Sequence, residues 1–158
     1  MHHHGYLWVG EKSRFDQEGT RRPAPAEPVT GCDPEIVRRH RRAAAEFAVS
    51  EVPSIETAHW LLKPAGHIRG TWRNPKDASA WLGSQLVEYA PRFSCRRQQS
   101  AAWIADTAAS AAERLTCGCD VSLGFYLGRP LFLCLALITC SPNRTAPELL
   151  CPAGVVGQ

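Results

Sequence analysis

Between Asp120 and Cys140 the chain reads DVSLGFYLGRPLFLCLALITC, and two hydrophobic patterns meet in it. Val121, Leu123, Phe125 and Leu127 alternate with Asp120, Ser122, Gly124 and Tyr126, the period-two signature of a strand with one buried face. From Leu131 to Ile138 both sides are apolar, which predicts a strand covered on both faces and lying inside a sheet. Gly128-Arg129 is the expected two-residue turn, with Pro130 opening the second strand. That register sets Leu127 opposite Pro130, Leu123 opposite Cys134 and Cys117 opposite Cys140. Cys117, Cys119, Cys134 and Cys140 then project from one side.

Elsewhere the period lengthens to that of a helix. Asp33 is a good N-cap with Pro34 behind it, and Val37, His40, Ala44, Phe47 and Ala48 recur at helical spacing, so a helix is expected over 34–51. Asn74-Pro75 starts a second over 75–90, with Ala78, Trp81, Leu82, Gln85, Leu86 and Tyr89 inward. A third is expected over 96–116, carrying Trp103, Thr107, Ala108, Ala111 and Leu115 on one side and ending on Gly118 as a left-handed cap. Residues 57–73 read as a first hairpin around Pro64-Ala65-Gly66. Trp60, Leu62, Ile68 and Trp72 share one of its faces, and His59, Lys63, His67, Arg69 and Arg73 the other.

These elements predict an α+β fold, a small antiparallel sheet built from two hairpins (57–73 and 120–140) and covered by about three helices. The single domain is expected over 32–142. Residues 1–31, with the run TRRPAPAEPVTG, are assigned to a disordered tail, and 143–158 to a flexible one. Tyr6-Leu7-Trp8-Val9 is a small apolar patch within the first tail, and His2–His4 are set aside from the fold reading.

Composition changes this picture little. The net charge of +3 is mild, and 15 arginines against 3 lysines read first as coding bias. No run of 18 apolar residues is present and the start of the chain does not resemble a signal peptide, so a cytoplasmic protein is expected. Seven cysteines is an odd number, which argues against a complete disulfide framework and favours reduced thiols.

Candidate chemistry comes down to three sets of residues. Cys117, Cys119, Cys140 and Cys151 form the set from which a structural zinc site would be built, although C-x-C is a weaker signature than paired C-x-x-C; no cofactor is expected otherwise. Arg38, Arg39, Arg41 and Arg42 on the first helix, with Lys63, Arg69 and Arg73 on the first hairpin, would contact a nucleic acid or another anion, against a net charge too low for a typical polyanion binder. His59 and His67 are the candidate bases of a small enzyme, but no catalytic motif frames them. The preferred reading is therefore a non-catalytic interaction or regulatory module. Its partner would be a protein or a second copy paired through the sheet, with nucleic acid as the alternative and no membrane.

Overall fold

The computed structural model describes residues 1–154 of the protein. Its fold is α+β. Strand β1 (His2–Glu11) leads into a single helical turn, α1 (Lys12–Phe15), and later α2 (Pro34–Val49). The short strand β2 (Gly70–Trp72) precedes α3 (Pro75–Tyr89) and α4 (Ala101–Thr116), and the hairpin β3 (Val121–Tyr126) and β4 (Leu131–Cys140) follows. The four strands form one antiparallel sheet in the order β2-β1-β4-β3.

The helices begin as their sequences dictate. Asp33, Asn74 and Ser100 each cap a helix by accepting a backbone N–H through the side chain, and Pro34 and Pro75 occupy first-turn positions. The third helix divides: Arg96–Gln99 forms a separate 3-10 turn and α4 starts after Ser100. At its C-terminus Gly118 takes φ +72, Gly118 N–H donates to Leu115 O and Cys119 N–H donates to Arg114 O. That is the paired closure of a Schellman motif.

Both faces of the sheet are covered, and by different material. On one face α3 and α4 pack Leu82, Leu86, Ile104, Ala111 and Leu115 against Leu133, Leu135, Leu137, Val121 and Phe125. On the other, Tyr6, Ala136, Ile138 and Cys140 meet Trp60 and Leu61, while Trp8, Phe132 and Cys134 meet Val52. α2 contributes little to either layer. Phe47 is its one buried residue, and Val37, His40, Ala44 and Ala48 are only half-buried.

Four expectations are corrected. Residues 2–11 are not a tail but a strand between β2 and β4, pairing with β4 along ten positions from His2↔Cys140 to Glu11↔Leu131. Tyr6 to Val9 are apolar on both sides because both faces of β1 are covered, as both faces of β4 are.

Second, residues 57–73, expected as a hairpin, make none. Thr57–Leu62 and Ala65–His67 are 3-10 turns, and β2 pairs with β1. Trp60 and Leu61 are adjacent and both buried, a pattern an alternating strand with one wet face cannot satisfy.

Third, the C-terminal hairpin is present but its register is shifted: Leu123 faces Leu135, and Gly124 faces Cys134. A two-residue turn closes through an N–H of the residue after it, and Pro130 has none. The chain uses a three-residue connection instead, with Leu127 N–H donating to Leu131 O and Leu131 N–H to Gly128 O. Gly128 takes φ +89 there.

Fourth, residues 143–154 are not uniformly loose, since Asn143 and Ala146 are buried. The rest of the expected C-terminal tail, 155–158, lies outside the described residues.

Candidate metal centre

β1 and β4 are antiparallel with His2 directly beside Cys140. Side chains two residues apart on a strand share a face, so His2, His4 and Tyr6 project together on the Cys140 side. Cys151 arrives from beyond β4. The strand stops at Ser141, which has φ +60, and Asn143 then anchors the returning chain.

The Asn143 amide donates to both carboxylate oxygens of Asp120 (3.1 and 3.0 Å) and to Thr139 O (2.8 Å). Its Oδ1 accepts from Thr145 N–H, Thr145 Oγ1 and Ala146 N–H. Asp120 also accepts Thr139 N–H, and burial pushes its carboxyl up from the usual range while these hydrogen bonds oppose the rise. With Asn143 fixed, Leu149 and Cys151 pack on the Tyr6–Trp60 layer.

The result is a cluster of four metal-ligating side chains, His2, His4, Cys140 and Cys151, whose donor atoms all lie within 4.8 Å of one another. His2 Nε2 and His4 Nε2 are 3.1 Å apart, His4 Nε2 is 3.4 Å from Cys151 Sγ, and Cys151 Sγ is 3.5 Å from His2 Nε2. A tetrahedral zinc ion with ordinary Zn–N and Zn–S bonds has N···N edges of about 3.3 Å and N···S edges of about 3.6 Å. These three edges fall close to those values, and Cys140 Sγ lies within 4.8 Å of the other three donor atoms.

The surroundings suit the same chemistry. His2, His4 and Cys140 are buried and Cys151 is half-buried. His4 Nδ1 is 2.8 Å from Thr71 Oγ1. With Nδ1–H donating to that hydroxyl, the Nε2 lone pair is turned toward the two thiols, the outer-shell arrangement common to metal-bound imidazoles. Burial, and then the neighbouring histidines, push His4 down to about 4, so it stands as the neutral ligand form. His2 is lowered as well, again chiefly by burial. Tyr6 is fully buried and stacked on Trp60 at 4.6 Å, and its hydroxyl has no hydrogen-bond partner among the described residues. Burial, and next the Cys140 and Cys151 sulfurs, raise that phenol well above its ordinary value.

Of the four cysteines singled out from the sequence, the structure brings Cys140 and Cys151 together and leaves Cys117 and Cys119 apart. Cys117 is the C-cap of α4 and exposed, and Cys119 closes the Schellman turn with its sulfur 3.2 Å from Arg144 Nη1. The expected Cys117–Cys140 pairing fails because β3 begins only at Val121. The missing ligands are His2 and His4. Their signal is H-x-H one glycine ahead of Tyr-Leu-Trp-Val, a spacing that puts two imidazoles on one face of a buried strand.

The remaining candidates are dispersed. Arg38, Arg39, Arg41 and Arg42 occupy the exposed side of α2, where Arg38 pairs with Glu35. Arg69 and Arg73 are exposed near β2. Lys63 belongs to neither surface: it is buried, donates to Ser50 O at 2.6 Å and lies over the Phe47 and Trp60 rings, closing the end of α2. Burial lowers its ammonium to about 8. His59 sits 3.3 Å from Glu56 in a shallow cleft of about 180 Å³. His67 lines a separate one of about 400 Å³ with Glu51 and Arg69. Among the described residues no helix is long and apolar enough to cross a membrane. Comparison with known proteins finds no matching family, no matching curated protein and no matching solved structure.

Proposed function

We propose that this protein is a zinc-clasped, non-catalytic binding module. A single Zn²⁺ held by His2 Nε2, His4 Nε2, Cys140 Sγ and Cys151 Sγ would tie the first strand, the end of the last strand and the segment after it into one unit. The observation that carries this is the convergence of two imidazoles and two thiols within 4.8 Å, with the three edges among His2, His4 and Cys151 near tetrahedral values. Four protein ligands fill the coordination shell of zinc, leaving no open position for a substrate or water, and that supports a structural role over a catalytic one. Two soft sulfurs and two imidazoles also favour zinc over magnesium or calcium, which take oxygen.

Self-association through β4 loses its route, since β4 is paired on both sides. A partner would have to meet another part of the sheet.

Thermal unfolding in the presence and absence of metal tests the clasp. A ligand at a hundredfold excess over its dissociation constant stabilises the folded state by about 2.7 kcal/mol, and a domain of this size gains roughly 2–4 °C per kcal/mol. Zinc should therefore raise the Tm of the apo-protein by roughly 5–10 °C. A chelator should reverse the gain, and Cys151→Ser should abolish it while Cys119→Ser retains it. An unchanged Tm on zinc addition, or an equal gain in Cys151→Ser, would contradict the proposal.

A further inference from the structure

β2 is much shorter than the strand it pairs with. Its three residues cover His3, His4 and Gly5 of β1, and the chain before it turns away through the 3-10 segment at Ala65–His67. β1 itself runs on to Glu11.

In an antiparallel strand the N–H and C=O of one residue point to one neighbour and those of the next residue to the other. Lys12 N–H donates to Pro130 O, toward β4, and Gly5 O accepts from Arg69 N–H, on the β2 side. Even-numbered residues of β1 therefore address β4 and odd-numbered ones address β2. It follows that the main-chain N–H and C=O of Leu7 and Val9 point to a side where, among the described residues, no strand lies opposite.

A water-washed edge is ordinary. This one is the floor of a cleft. A hollow of about 400 Å³ runs against Leu7, Trp8 and Val9, walled by Tyr89 on the α3 side of the sheet and by Trp60 and Glu51 on the other. His67, which also lines it, has a buried Nδ1 with no hydrogen-bond partner among the described residues. Arg69 and Glu51 supply the two formal charges of the lining. Neither enters any of the ion pairs among the described residues.

We infer that this cleft is a docking site for an extended peptide segment of a partner protein, which would add to β1 as a strand in continuation of β2. The main-chain groups of Leu7 and Val9 would supply up to four hydrogen bonds at strand spacing, independent of the peptide's sequence. Specificity would come from an acidic side chain facing Arg69 and a basic one facing Glu51. The inference deepens the reading of the chain as a binding module and does not depend on the metal.

The test is a display library of nine-residue linear peptides screened against the full chain, followed by amide hydrogen exchange on the best binder. Zinc content is measured on the same protein, so the fate of the clasp is known separately. In the free protein the Leu7 and Val9 amides should exchange fast while those of Trp8 and Tyr6 are protected, and the peptide should protect Leu7 and Val9 at least tenfold. N-methylating alternate amides of the peptide should abolish binding. Val9→Pro removes a donor only on the open side, where proline is tolerated in an edge strand, and should weaken binding at least tenfold. Arg69→Glu should do the same, with recovery when the acidic residue of the peptide is exchanged for lysine.

Several outcomes would overturn the inference. They are a library with no binders, binders indifferent to N-methylation and to both variants, and Leu7 and Val9 amides already protected in dilute free protein. Protection that grows with protein concentration in the absence of peptide would make the occupant a second copy, and would equally overturn it.

Discussion

His2, His3 and His4 are all but removed from water, and each meets the cost of that burial differently. His3, which faces the opposite side of the sheet, has Nδ1 3.1 Å from Thr139 Oγ1. His4 uses Thr71, and its other nitrogen joins that of His2 at the two sulfurs. Side chains that look like solvated polar groups in a string of letters are here neutral and placed by strand geometry. Asn143 matters as much, although it touches no ligand. It satisfies a buried carboxylate on one side and three donors of the returning chain on the other. Asn143→Ala would strip partners from Asp120 and from the Thr145 and Ala146 N–H groups, and each buried group left unmade costs about 1–3 kcal/mol. We expect a loss of roughly 3 kcal/mol in urea unfolding. Zinc affinity should fall as well, because Cys151 is no longer brought home. A loss below roughly 0.5 kcal/mol, the size of an ordinary surface substitution, would mean the network does not hold that segment.

The four strands and three longer helices were unequally legible in the sequence. The helices at 34–49, 75–89 and 101–116 announce themselves through caps and apolar spacing, signals that depend only on neighbouring residues. β4 announced itself by being apolar on both sides, and it does lie inside the sheet. β1 did not, because its first three residues are histidines and its apolar run is only four residues long; its status comes from β4, more than a hundred positions away. The hairpin register turned on a detail that was present in the sequence, the missing N–H of Pro130, and a turn chosen by Gly128 alone passes over it. The same dependence on distant partners hid the metal-ligand set, of which Cys140 and Cys151 were visible and His2 and His4 were not. β1 must also lie close to α3. A Cβ added at Gly5 would stand 2.8 Å from the Trp81 ring and 2.9 Å from that of Trp72, two rings that pack at 5.3 Å. Gly5→Ala should therefore cost about 1–3 kcal/mol through overpacking, read as a lower urea midpoint with unchanged m-value. An unchanged midpoint would show that the two indoles yield freely.

At the scale of the whole molecule, the site does what neither core layer does. α3 and α4 hold one face of the sheet, and the other face is closed by 3-10 turns and loops with fewer regular contacts. On that weaker side a metal would join β1, β4 and the segment carrying Cys151, and would convert a loop-covered face into a stapled one. The cleft beside Leu7 and Val9 opens at the neighbouring stretch of β1, so a rigid first strand would also present a fixed edge to a partner. On the proposed reading, one zinc ion per chain is held by His2, His4, Cys140 and Cys151. Native mass spectrometry of the protein reconstituted with zinc, beside the His4→Ala and Cys140→Ser variants and a Cys117→Ser, Cys119→Ser double variant, reads this directly. One zinc per chain in the wild type and in the double variant, and none in the other two, is the result expected here. A wild type that takes up no zinc, or zinc retained by His4→Ala and Cys140→Ser, would contradict it.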